Sequence, residues 1–96
     1  MKGRVYMIIK EGQQSFYIGD DEENAIGRIT YEVESDDVIV ANHTYVSPVH
    51  RGKNIAKLLL DQLVEHARDN NLKVRPQCSY VVRAFEKYKE YQDIIA

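Results

Sequence analysis

The feature that most constrains the fold is a change of hydrophobic period near residue 46. Before it, apolar residues alternate with polar ones; after it, they recur at steps of three and four. Alternation sends successive side chains to opposite faces of a strand, whereas the three-four spacing gathers them on one stripe of a helix. A chain in this order builds a sheet first and then lays helices across it.

In the alternating half, Val5 to Lys10 reads as a strand and Ser15 to Gly19 as its return, joined by a turn over Glu11–Gln14 in which Gly12 offers a positive φ. Asp20 to Asn24 is an acidic connection. Ala25 to Val33 is rich in β-branched and aromatic residues, and Gly27 within it marks a bulge or a crowded neighbour. After turn chemistry at Glu34–Asp37, Val38 to Val46 forms a fourth strand. Simple alternation puts Ile39, Ala41, His43 and Tyr45 on one face and Val38, Val40, Asn42, Thr44 and Val46 on the other.

In the second half, Ile55, Leu58, Leu59, Leu63, Val64 and Ala67 give a helix stripe over about residues 53–68, closed by Asp69-Asn70-Asn71. Leu72 to Gln77 is a short fifth strand, expected parallel to the fourth across the helical connection. Pro76 cannot donate to a ladder, so this strand is either an edge or one whose neighbour has pulled away to leave a slot. Ser79 stands where an N-cap belongs, ahead of a helix over 80–89 with Val81, Val82, Phe85 and Tyr88 inward. The expected fold is α/β (α+β): a mixed, mostly antiparallel twisted sheet of about five strands with two helices, order ββββαβα, in one domain spanning 1–96.

Composition excludes several classes of function. The net charge of -2 is spread along the chain and gives no field for a polyanion, so nucleic acid is not expected as a partner. Cys78 is the single cysteine, which forbids an intrachain disulfide and suits a reducing compartment, the cytoplasm. The apolar run Val5–Ile9 is too short for a signal-peptide core, and nothing approaches the roughly 18 apolar residues of a membrane span. No His/Cys/Asp/Glu set has metal-ligand spacing.

The segment most informative about chemistry is the loop Val46 to Ala56, which carries Gly52 and runs straight into the long helix. The first amides of a helix have no internal acceptor and lie at the positive end of its dipole, so they attract phosphate. Gly52 allows close approach of an anion, with Arg51 and Lys53 adding positive charge; alternatively, Gly52 serves a turn and both cations are solvated.

Val46-x-Pro-x-x-Arg-Gly-x-x-Ile-Ala closely resembles the acetyl-CoA motif of the GNAT superfamily of N-acetyltransferases. The strand-helix-strand-helix order after four strands agrees with that family. Its pattern is Gln/Arg-x-x-Gly-x-Gly/Ala; Gly52 matches the first glycine, while Val49 and Asn54 depart from it. The shortest members also resemble this chain at His43-Thr44-Tyr45-Val46 and Cys78-Ser79-Tyr80-Val81, so the likeness covers residues 25 to 90 or so. The resemblance implies acetyl-CoA as cofactor, with its diphosphate on the backbone of Arg51, Gly52, Lys53, Asn54, Ile55 and Ala56. It also implies that the fourth and fifth strands splay, with the pantetheine arm bonded to the fourth near Tyr45 and Val46. A small-molecule or peptide amine is the implied acceptor. The two helices that build the acceptor site in longer relatives are absent here, which makes that pocket open or shared, as in a homodimer. The general-acid Tyr of a Phe-Tyr motif is also missing, since Phe85 precedes Glu86.

Two side chains are candidates for catalysis. Cys78 is either a thiol at the mouth of the slot, where a helix dipole favours thiolate, or a small buried apolar group. His43 either takes a proton from an ammonium substrate or is a satisfied histidine in a polar layer. His50 and His66 read as surface residues. Besides an acetyltransferase with direct transfer, the sequence admits a non-catalytic acyl-CoA binding module and, more remotely, a thioesterase.

Overall fold

The computed structural model describes residues 8–96. Strands β1 (Ile9–Gly12), β2 (Ser15–Gly19), β3 (Ala25–Ser35) and β4 (Val38–Val46) are followed by helix α1 (Ile55–Asp69), strand β5 (Lys73–Pro76) and helix α2 (Ser79–Lys87). Short 3-10 segments occupy Pro48–His50 and Lys89–Ile94. The sheet runs β1-β2-β3-β4-β5, antiparallel except for the parallel β4–β5 pair. The expected order and mixed sheet are therefore present, with a C-terminal 3-10 segment added.

The first hairpin differs in register from its reading in sequence. Pairing of Gly12 with Ser15 leaves Gln13-Gln14 as the turn, and Gln14, not Gly12, takes the positive φ of 51°. Residues 5–7 of the expected first strand lie outside the described residues. At Gly12 a Cβ would stand 2.5 Å from Ser15 Oγ and 2.6 Å from the Glu22 carboxylate, so a side chain there would push these two groups aside. Those two groups are hydrogen-bonded, which folds the β2–β3 connection back over the hairpin.

Helix α1 buries Ile55, Leu59, Leu60, Leu63, Val64 and Ala67 against the sheet, while Leu58 is partly exposed, so Leu60 takes the place expected for Leu58. One continuous core joins these to Phe16, Ile18, Ile29, Ile39, Val74 and the buried side of α2. Both meanings of Gly27 hold: the β2–β3 register shifts beside it, with Ile18 paired to Gly27 but Gly19 to Ala25, and a Cβ there would lie 2.8 Å from Ile55 Cγ2 and 3.1 Å from Leu59 Cδ1. The start of α1 thus rests directly on β3. At its other end Leu72 N–H donates to Ala67 O (2.8 Å) and Asn71, at φ 57°, to Arg68 O (3.3 Å). That paired arrangement around a left-handed residue closes the helix.

A β-bulge changes the faces of β4. Thr30 pairs with His43 but Tyr31 with Ala41, so Asn42 is an extra residue, tied by its side chain to Thr30 Oγ1 at 2.6 Å. Ile39 and Ala41 face the helices. Beyond the bulge the alternation is reversed: Thr44 and Val46 face the helices, and His43 and Tyr45 face away. The face carrying Arg28, Thr30, His43 and Tyr45 has no helix laid on it among the described residues.

The C-terminal 3-10 segment is tied down on α1. Arg68 donates to both Asp93 carboxylate oxygens (2.9 and 2.8 Å) and to Glu90 O (2.7 Å). Tyr91, only 1% exposed, donates to Asp61, and Lys57 reaches Asp61 (3.1 Å) and Glu90 (2.9 Å) across the Tyr88 and Tyr91 rings. The buried tyrosine is thus Tyr91; Tyr88, expected inward, is half-buried. His66, read as surface, is half-buried between Phe16 and Tyr31.

Contacts with Tyr91, Glu90 and Asp61 raise the Lys57 ammonium above its ordinary range, and burial with the Asp61 bond raises the Tyr91 phenol. Both groups bind their protons more tightly folded than unfolded, so their contribution is whole below about pH 10. It is lost as pH rises through the folded values. Stability in urea is expected to decline above about pH 10, with Tyr91 the last tyrosine to ionise in an absorbance titration; early ionisation of Tyr91 would contradict the tether.

Candidate functional site

The loop from β4 to α1 is built by its backbone conformations. Ser47 N–H closes β4 on Ile26 O (2.7 Å), and Pro48 opens the 3-10 turn. Arg51 is extended, Gly52 takes φ 85° and Asn54, the N-cap of α1, takes φ 64° and ψ 24°. Two left-handed residues, two apart, swing the chain into the helix. Asparagine is among the few side-chain-bearing residues that tolerate this region, so Asn54 preserves the geometry that glycine would give. Asn54→Gly is expected to retain stability, whereas Asn54→Ala is expected to lose about 1 kcal/mol, as read from thermal melts.

This geometry leaves the head of α1 open to an anion. The first intrahelical bond runs from Leu58 N–H to Asn54 O (3.2 Å), so the amides of Ile55, Ala56 and Lys57 have no acceptor within the helix. No side chain caps them, and no acidic residue occupies the first turn. Nothing lies within 4 Å of where a Gly52 Cβ would stand. A concavity of about 390 Å³ opens here, lined by Val46, Arg51, Gly52, Asn54, Ile55 and Ala56. Of the other residues expected at this site, Lys53 is exposed and does not line it, and Tyr45 lines a different concavity.

Three further residues line the cavity: His50, Lys57 and Tyr80. His50, read as surface, is half-buried with an unpartnered, buried Nδ1. Lys57 is the third helical residue, one turn before Asp61, and that (i, i+4) spacing was visible in sequence. Burial raises the phenol of Tyr80.

Next to this cavity the sheet opens. The β4–β5 ladder ends at Ala41↔Pro76, and the N–H groups of Gln77 and Cys78 both turn to Ala41 O (3.1 Å each). Strand β4 continues through Asn42–Val46 with no β5 partner. Both readings of Pro76 hold: β5 is the last strand of the sheet, and Pro76 is where its pairing stops. Cys78, not Ser79, is the N-cap of α2. Its half-buried Sγ donates to Thr44 Oγ1 at 3.3 Å, across the opening.

The structure separates the two catalytic candidates. Thr44, bonded to Cys78, faces the helices, whereas His43 is exposed on the other face. There His43 and Tyr45 line a second concavity of about 410 Å³ together with Arg28, Glu22, Glu23 and Asn24. Two concavities thus flank the open end of β4, one on each side of the sheet. An arrangement of this kind can hold one reactant at the head of α1 and admit another from the uncovered face.

Residues 15–94 match the profile of the GCN5-related N-acetyl-transferase family, and the chain belongs to that family. It superimposes with a TM-score of 0.81 on the NMR structure of a GCN5-like candidate N-acetyltransferase from Staphylococcus aureus; the two are 44% identical, over 94% of this chain and 88% of that one. A ribosomal-protein-alanine N-acetyltransferase from Brucella melitensis biovar Abortus 2308 is similar at TM-score 0.52 and 25% identity, over 88% of this chain and 64% of that one. No curated protein matches the sequence. No described helix is long and apolar enough to cross a membrane.

Proposed function

We propose that the protein transfers an acetyl group from acetyl-CoA to an amine. The observation that carries this reading is the uncapped head of α1 behind Gly52, with open space where a Cβ would stand. The residues present fit the diphosphate: amides of 52–57 as donors, Arg51 as nearby positive charge, and no carboxylate in the first helical turn. The backbone of Asn42–Val46, free of β5, suits the pantetheine arm.

Acetyl-CoA supplies an activated acyl carbon and a thiol leaving group. On the protein's side, His43 lies at the face from which an amine would enter. It takes the proton that the nitrogen loses as the N–C bond forms and the C–S bond breaks. Cys78 spends its S–H on Thr44 from the other side, which favours direct transfer over an acetyl-cysteine.

The test is release of free thiol from acetyl-CoA across an amine panel, with hydrolysis subtracted. Amine-dependent release is expected, and His43→Gln is expected to lower kcat/KM about 100-fold with acetyl-CoA affinity unchanged. Binding without release would indicate the acyl-CoA binding module, and release independent of amine a thioesterase. Accumulation of acetylated Cys78 on the timescale of turnover, seen by intact mass, would contradict direct transfer.

A further inference from the structure

We infer that the concavity on the uncovered face receives a small amine that also carries a carboxylate, and that Arg28 is the carboxylate's anchor. This rests on the transferase reading above and names the acceptor class for it. Arg28 is half-buried on β3, opposite Tyr45, and lines the cavity of about 410 Å³. That is the size of a small-ligand site.

The guanidinium is under-used. Among the described residues, its Nη1 alone finds an acceptor, Glu22 O at 3.0 Å, and its buried Nε finds none. None of the described ion pairs includes Arg28, and residues 1–7 contain no acid that could serve it. A buried donor without a partner is costly, and arginine is the side chain whose planar fork matches a carboxylate. Fixed to the β2–β3 connection by Glu22 O, the group meets a carboxylate through Nη2, which no described residue engages, with Nε behind it as the reporter.

The other charges around the cavity select among anions. The Glu22 carboxylate is occupied by Ser15 Oγ and the Gln13 N–H (3.4 Å), while the Glu23 side chain is exposed and has no hydrogen-bond partner among the described residues. Among the described residues, one cation lacking an acid and one acid lacking a cation complement a zwitterion. A phosphate dianion would meet a single guanidinium beside two glutamates, a poor balance. His43 lines the same cavity, so an ammonium held there lies beside the proton acceptor.

The experiment uses the full chain saturated with coenzyme A and follows the Arg28 Nε–H resonance by NMR. The buried Nε is shielded from solvent exchange. Amino acids of increasing chain length are titrated in, each paired with its own carboxamide. At least one acid is expected to shift the resonance saturably, binding about tenfold or more tighter than its carboxamide. Arg28→Gln is expected to erase that preference while coenzyme A affinity stays the same. No shift with any acid, or equal shifts with acid and carboxamide, would overturn the inference, and the paired ligands give this answer on the unmodified chain even if the variant fails to fold. Turnover of the same pairs separates the two proposals. A carboxylate-dependent shift without thiol release keeps the site and removes the transferase; turnover indifferent to the carboxylate keeps the transferase and removes the site.

Discussion

Gly52→Val is expected to lower the affinity for acetyl-CoA about 100-fold or more while leaving a folded protein. The diphosphate reading places several charge-assisted hydrogen bonds at this turn, each worth about 1.5–3 kcal/mol. Loss of two at the lower figure, or of one at the upper, is about a 100-fold effect at 1.4 kcal/mol per decade. The added Cβ meets no atom within 4 Å in the free protein, so the main expected cost to the fold is that of the backbone. A β-branched residue at φ 85° costs about 1–3 kcal/mol. Calorimetric titration alongside thermal melts separates the two quantities. Full affinity in the variant would remove the anion from this turn, and an unfolded variant would show that Gly52 serves the fold more than the ligand.

Gly27→Val should act in the opposite order, on the fold first and on the site through it. Its Cβ would stand 2.8 Å from Ile55 Cγ2, a stiff β-branched methyl group on the first residue of α1. The clash cannot be relieved by swinging a flexible side chain away. Overpacking of this kind costs about 1–3 kcal/mol, and relief comes from lifting the head of α1 off β3. The same movement displaces the amides of residues 55–57, so acetyl-CoA affinity is expected to fall together with the urea midpoint. Gly27→Ala should show both effects in milder form. An unchanged midpoint would mean that α1 does not rest on Gly27 as described.

The architecture was legible because it follows from period. Alternation up to Val46 and the stripe from Ile55 to Ala67 decide sheet and helix, and Pro76 signals the end of a ladder. What could not be read was set by single residues and by distant partners. The extra residue at Asn42 shifts the pleat, so simple alternation put His43 on the face of Ile39 and Ala41, where it does not lie. Nothing local announces such a bulge, because it is stabilised by Thr30 on the neighbouring strand.

The site divides in the same way. Gly52, Asn54, Ile55 and Ala56, which line the concavity at the head of α1, could be singled out because the free amides of a helix start are a local property of a loop and its helix. Lys57 was overlooked for lack of its partners: Glu90 and Tyr91 lie a whole element away in sequence. Nothing in the sequence sets Arg28 apart from its neighbours in the strand. Its importance rests on an unpartnered Nε and a cavity that exist only once the β2–β3 connection has folded back. The C-terminal 3-10 segment carried no periodic signal, and its placement depends on Arg68 of α1.

The most direct test of the account is a proton–nitrogen correlation spectrum of the protein with and without acetyl-CoA. The amides of Gly52 through Lys57 are expected to move furthest, with smaller shifts along Asn42–Val46, and inorganic pyrophosphate should reproduce the first set without the second. Large shifts confined to the opposite face of the sheet, with the head of α1 unmoved, would contradict it.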